Sequence, residues 1–383
     1  MSKAYMAGVI VVDTIAEGNA PDARNVIWLM DGYRDSVGGY GNVVPTAVNL
    51  FDRVVCGGLV NGGDMRGQLI KQRLESWGAD TSGIKDSREA LRPDKPYPVL
   101  IGGGRIENIN GREIQTSASL IESSGSNRKI AHYTGTDSAF SPQHVGGEIE
   151  GADVAIILYT GLLLGWDGEP MADFARRMRG KGILTVSAAN GADTASDETL
   201  GMIRTGIKEI NVYVCNREEA EAIAGEKGKG LLAGELAEKV SEVMGMRGGK
   251  TSRLLAVTDG AKGCHLVYCN QKGEVAAPVN VPALEVNPVN PTGAGDNFLL
   301  GLTHYVVEHK AEFMGGSLNV ATAGKYGNAM GALHIAGEID RVRSPADLTK
   351  IVEERFPKVI SPNTLPGTAT IAPIKRTEPP RRV

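Results

Sequence analysis

Short aliphatic runs punctuated by glycine recur along the chain, at residues 7–12, 53–60, 153–159, 182–187, 210–214 and 254–258. Runs this short, apolar at consecutive rather than alternate positions, predict strands buried on both faces of a parallel sheet. Between them, residues 67–77, 170–178, 217–224 and 231–244 carry apolar side chains three and four apart, the spacing of one helical face. Strand and helix therefore alternate, which predicts an α/β fold around a mostly parallel sheet.

Two stretches break the alternation. Residues 26–33 and 97–132 hold short β-prone runs among Gly, Asn and Arg, and predict a β-rich flap spanning about 14–37 and 95–135. An inserted sheet of this kind covers a site and excludes water in many α/β proteins; a plain surface hairpin is the alternative. A free strand edge on such a flap is able to pair with a second copy, so a homodimer through the flap is one expectation. Beyond one α/β domain over 1–360, residues 361–383 turn proline-rich and basic without periodicity, which predicts a flexible tail.

Composition narrows the classes. With 383 residues, 42% of them hydrophobic, the chain supports a large core. A net charge of -4 provides no drive toward nucleic acid. Cys56, Cys215, Cys264 and Cys269 form no Cys-x-x-Cys pair and have no zinc-finger histidines, so they read as reduced thiols of a cytoplasmic protein. The apolar run at 4–12 ends at Asp13 without a cleavage site, and the run at 155–166 is too short to span a bilayer, so neither export nor a membrane anchor is expected. None of the six histidines forms an i, i+4 ligand pair.

The densest chemistry lies in Asn290-Pro291-Thr292-Gly293-Ala294-Gly295-Asp296, which runs into an apolar helix over 298–307. Small residues at a helix start let the free N–H groups of Gly293, Ala294 and Gly295 approach an anion such as a transferring phosphoryl group. Asp296 then stands beside that anion, able to take a proton from an attacking hydroxyl, or else simply caps the helix. Asn216 and Glu219, at a strand-to-helix junction, offer an amide and a carboxylate suited to a hydrated Mg²⁺, or an ordinary capping box. The turn Thr258-Asp259-Gly260-Ala261-Lys262-Gly263 lets a nucleotide lie against backbone, or closes a hairpin with the β-prone residues 265–268. Asp13 ends the first aliphatic run, where ligands of open α/β sheets bind, or is a solvated loop residue. Gly248-Gly249-Lys250-Thr251 ends like a P-loop, but the pattern's first glycine falls on Met244 and the segment precedes a strand. No Gly-x-Gly-x-x-Gly follows the first strand, which argues against a dinucleotide oxidoreductase.

In this order along about residues 8–337, the segments resemble the ribokinase-like (PfkB) carbohydrate kinases. Their signature Asp-Thr-x-Gly-Ala-Gly-Asp is similar to 290–296, their Gly-Gly to Gly38-Gly39, their Asp-x-x-Gly to Asp64–Gly67, and their Asn-x-x-Glu to Asn216–Glu219. The resemblance implies a three-layer fold with helices on both faces of the sheet and a small β lid. It implies an ATP-dependent kinase with Asp296 as base and Gly293, Ala294 and Gly295 as anion hole. Asp13, Gly38, Gly39 and Asn42 would hold the acceptor. Asn216, Thr258, Gly260, Lys262, Gly263 and Asn328 would hold the nucleotide, and Glu219 with Asn216 the Mg²⁺. Three departures stand out. Asn290-Pro291 replaces the usual Asp-Thr, beside which many members build a K⁺ site, so K⁺ is an optional cofactor. Val43 stands where the family's Asn is expected, one place after Asn42. Ser187-Ala188-Ala189-Asn190 replaces an Asp-x-Asn. The acceptor reads as a sugar or sugar derivative, with two rivals: a nucleoside stacked on Trp28, Tyr33 or Tyr40, or a catalytically silent binding or assembly protein.

Overall fold

The computed structural model describes residues 2–17, 32–101, 105–124, 127–192, 195–289 and 292–356. In chain order the strands begin with β1 (Lys3–Gly8), β2 (Ile10–Glu17), β3 (Gly32–Gly39), β4 (Arg53–Val60), β5 (Asp80–Asp86), β6 (Pro96–Ile101) and β7 (Arg105–Asn110). They continue with β8 (Ala118–Ser124), β9 (Asn127–Tyr133), β10 (Val154–Thr160), β11 (Leu184–Ala189), β12 (Val212–Asn216), β13 (Arg253–Thr258), β14 (Cys264–Cys269) and β15 (Val279–Val281). Nine of them form the central sheet, in the order β15-β14-β13-β12-β11-β10-β1-β4-β5. From β5 to β13 every pairing is parallel, while β14 and β15 close one edge antiparallel.

Burial explains the aliphatic runs. Every residue of β10, Val-Ala-Ile-Ile-Leu-Tyr-Thr, is buried, as a strand with layers on both faces must be. The flanking helices present stripes: Glu169–Gly180 buries Met171, Phe174, Ala175 and Met178 and leaves Arg176 and Arg177 outside. The helices Ala294–Glu308 and Val320–Ile335 are buried over most of their length. Their backbones approach closely because glycine stands at the crossing: a Cβ on Gly327 would lie 2.6 Å from the Phe298 ring, and one on Gly301 2.4 Å from the Tyr326 carbonyl. All four cysteines are buried and unpaired.

The first aliphatic run is not one strand. It splits at Gly8, whose φ of +121° is closed to most side chains, so that β1 stays in the central sheet and β2 enters another. The hydrophobic pattern runs through the break, and only the glycine marks it. Asp13 consequently sits within β2 rather than at the end of a central strand.

β2 belongs to a four-stranded sheet ordered β3-β2-β8-β9, whereas β6 and β7 pair only with each other. The part of the predicted flap at 26–31 and the predicted tail at 361–383 lie outside the described residues. Two polar ties hold the four-stranded sheet to the core. Asp137, fully buried, accepts the Ile10 N–H at 3.2 Å, and burial keeps its carboxyl well above the usual range. Asp64, the N-cap of the helix Met65–Ser76, accepts from Gly67 N at 2.7 Å and from Thr116 N at 2.9 Å. The aspartate of the Asp64–Gly67 motif thus joins a helix start to the approach of β8.

Candidate active site

The C-terminal ends of β10, β12 and β13 and the start of the helix Ala294–Glu308 enclose the chemistry. That helix begins at Gly293, which has φ +86° and offers no side-chain cap, so the first-turn amides have no partner within the helix. A Cβ on Gly295 would meet nothing within 4 Å, so open space lies in front of this turn. Asp296 does not cap its helix; its carboxylate instead lies near the Tyr159 hydroxyl at the end of β10. Burial pushes the Asp296 carboxyl up to about 6; the nearby Tyr159 hydroxyl opposes the rise, and the nearby Glu219 charge adds to it.

Acting as a base, Asp296 would have to be ionised. The acidic limb of kcat/KM against pH is therefore expected to bend near 6, with activity rising toward higher pH. Tyr159→Phe removes the hydroxyl that holds the value down and moves the bend upward. A pH profile of both proteins checks this, and a limb centred near the ordinary aspartate range would contradict it.

Glu219 is buried, and its charge is felt at Asp296, Tyr159, Tyr213 and Cys215. It forms a reciprocal capping box with Asn216: Asn216 N donates to Glu219 Oε2 at 2.9 Å and Glu219 N to Asn216 Oδ1 at 2.8 Å. The cap and the electrostatic role coexist, since accepting the Asn216 N–H leaves the carboxylate charge in place. Among the described residues no three His, Cys, Asp or Glu side chains cluster as a metal cage. Mg²⁺ fits such a site, because it keeps several waters and takes one or two carboxylates together with substrate phosphates.

The four-stranded sheet brings in Asp13. It faces Ser36 across β3 and Ser119 across β8, and Ser119 faces His132 across β9, so one polar row crosses the sheet. A Cβ on Gly38 would sit 2.0 Å from Asp13 Oδ2; the bare glycine lets that carboxylate lie against the backbone. Gly39 has φ +63° and turns the chain back to the core, where its neighbour Tyr40 N donates to Val9 O at 2.9 Å. Asn42 is exposed in the short turn Tyr40–Val43. Asp13 and Asp296 both act on the Tyr159 hydroxyl, raising its pKa further beyond the effect of its burial. Two carboxylates, one on β2 and one on the helix Ala294–Glu308, thus make their charge felt at one tyrosine.

Sequence reasoning did not single out Tyr159; its only signal is a phenol at the end of an otherwise aliphatic run. Tyr40 cannot stack on a base: it is fully buried and its hydroxyl donates to Gly57 O at 3.1 Å. Trp28 and the Tyr33 side chain lie outside the described residues.

The 258–263 turn closes a hairpin between β13 and β14, with Asp259 N donating to Gly263 O at 2.8 Å. Gly260 and Lys262 are exposed on it, and Lys262 Nζ lies 3.3 Å from Asp259 Oδ2. Beside it a cavity of about 490 Å³ is lined by Arg217, Asp259, Lys262 and His265, without reaching Asp296. Asn328 does not offer its amide to this cleft. Its Nδ2 donates to Val281 O at 3.0 Å and Pro282 O at 2.9 Å, which braces the segment packed against Gly263. Residues 290 and 291, where a K⁺ site is an optional feature of the resemblance, lie outside the described residues.

The model of the pfkB family carbohydrate kinase matches residues 107–341. This chain belongs to that family. Its members are phosphotransferases with alcohol acceptors. A putative sugar kinase of Pyrococcus horikoshii is 38% identical over 84 residues, a match spanning 22% of this chain and 23% of the relative. Ribokinase from Thermotoga maritima superposes with a TM-score of 0.65 at 16% identity, covering 92% of this chain and all of that one (100%). A fructokinase from Vibrio cholerae bound to fructose, ADP and calcium gives 0.63 at 18%, covering 92% and 99%. A Burkholderia thailandensis nucleoside kinase in complex with inosine gives 0.59 at 20%, covering 92% and 98%. At these identities the solved structures establish the ribokinase-like fold of this pfkB member. No helix among the described residues is long and apolar enough to cross a membrane.

Proposed function

We propose that this pfkB-family protein transfers the γ-phosphoryl group of Mg·ATP to a hydroxymethyl group of a small sugar or sugar derivative. The observation that carries the reading is the uncapped helix start at Gly293, with open space in front of Gly295 and Asp296 in its first turn. Asp13 accepts from acceptor hydroxyls, Gly38 and Gly39 present backbone to them, and Asn42 lies at the rim. Asp296 takes the proton of the hydroxymethyl group as its oxygen bonds to the γ-phosphorus and the bond to the ADP oxygen breaks. The N–H groups of Gly293, Ala294 and Gly295 meet the charge on the moving phosphoryl oxygens. The nucleotide lies along Thr258, Gly260, Lys262 and Gly263. Mg²⁺, when bound, neutralises phosphate charge, and Glu219 with Asn216 orients its water shell.

A sugar is favoured over a nucleoside by the polar row Asp13, Ser36, Ser119 and His132, which offers hydrogen bonds rather than a stacking face, and by the burial of Tyr40. ATP consumption by the purified protein, screened against pentoses, hexoses, keto-sugar acids and nucleosides with Asp296→Asn as control, tests the assignment. Turnover with a sugar class and none with nucleosides is expected. Preference for nucleosides would reverse the acceptor assignment, and silence toward every acceptor would favour a binding protein.

A further inference from the structure

Two side chains outside the glycine motif grip its peptide units. The Thr292 carbonyl oxygen lies 2.5 Å from His334 Nε2, near the end of the helix Val320–Ile335. A carbonyl only accepts, so Nε2 carries the proton. The Gly293 carbonyl accepts twice from Asn297, from its backbone N at 3.0 Å and its side-chain Nδ2 at 2.9 Å.

In a planar trans peptide the C=O and N–H point in opposite directions. The Thr292 carbonyl shares its peptide unit with the Gly293 N–H, and the Gly293 carbonyl shares its unit with the Ala294 N–H. Holding both oxygens on the protein side therefore aims both amides away from it, where the phosphoryl group is to pass. Asn297 is 1% exposed and its Oδ1 has no partner among the described residues, an arrangement that costs stability. An apolar residue of similar volume would avoid that cost but could not hold the Gly293 oxygen through a side chain. His334 is equally close, since a Cβ on Gly293 would lie 3.0 Å from its Nε2.

We propose that Asn297 and His334 are positioning residues that preset the Gly293 and Ala294 amides for the transferring phosphoryl group. The proposal rests on the phosphotransferase reading above. Its test uses the full chain with Asn297→Leu, His334→Ala and His334→Gln, read by melting temperature, Mg·ATP affinity, turnover and calorimetric binding of Mg·ADP with aluminium fluoride. Asn297→Leu and His334→Ala are each expected to lower turnover and fluoride-complex affinity about tenfold. Mg·ATP affinity should stay unchanged, and the melting temperature of Asn297→Leu should hold or rise. His334→Gln, which places an amide N–H near the same oxygen, should recover most of the loss.

If the wild type binds the fluoride complex and both variants bind it equally well, the inference is overturned while the kinase reading stands. Parallel loss of Mg·ATP affinity and melting temperature, without rescue by Gln, would make the roles merely structural and also overturn it. Failure of the wild type itself to bind the complex would remove the underlying reading.

Discussion

Asp296→Asn is expected to lower turnover by about 10²- to 10⁴-fold, the usual contribution of a general base. The amide keeps the carboxylate's shape, including an oxygen able to receive the Tyr159 hydroxyl, but it cannot take the acceptor's proton. Mg·ATP affinity is expected to stay within about threefold, because the loss falls on the transition state rather than on ground-state binding. Stability should move in the opposite direction from activity. The folded-state pKa of Asp296, about 6, lies above the unfolded value of 3.8, so ionisation opposes folding. That penalty is absent below 3.8, grows between 3.8 and about 6, and is fully present above. Asn carries no such penalty, and the variant should melt no lower than the parent at pH 8 and gain nothing at pH 4. Turnover within a few-fold of the parent would remove Asp296 from the base role.

Gly293→Ala is expected to lower turnover by about 10²- to 10³-fold, the effect of losing one well-placed oxyanion donor. Gly293 has φ +86°, where an alanine costs about 1–2 kcal/mol. Relief of that strain rotates the two peptide units whose N–H groups face the site. A Cβ there would also press on His334 Nε2 at 3.0 Å, disturbing the contact that holds the Thr292 carbonyl. Acceptor binding, which we propose rests on Asp13 and the Gly38–Gly39 backbone in the four-stranded sheet, should change little. Single-turnover rates measured beside acceptor affinity separate the two effects; a variant with parental single-turnover rate would show that these amides do not face the moving group.

The legible parts of this molecule are those written by near neighbours in the chain. The fully buried β10 shows as an aliphatic run because a strand covered on both faces has no polar positions. The capping box of Asn216 and Glu219 shows because its partners are three residues apart, and the uncapped turn at 293–296 because glycine and alanine are bunched before an apolar helix. Local rules misled where continuity of pattern was taken for continuity of structure. Residues 7–12 are evenly apolar, yet the chain changes sheets at Gly8. Asn328 and Tyr40 have the right chemistry for a ligand, but packing turns them onto the backbone at 281–282 and at Gly57.

By itself the sequence determined the alternation of strand and helix, the anion-receptive helix start and the presence of Asp296 on it, because periodicity, capping and backbone freedom act over a few residues. Only the tertiary structure decided that the charges of Asp13 and Asp296 are both felt at Tyr159, and that His334 reaches back 42 residues to Thr292. Those encounters depend on how distant segments pack across the sheets and on the bare glycines that let two helices close together, and no short-range pattern records them.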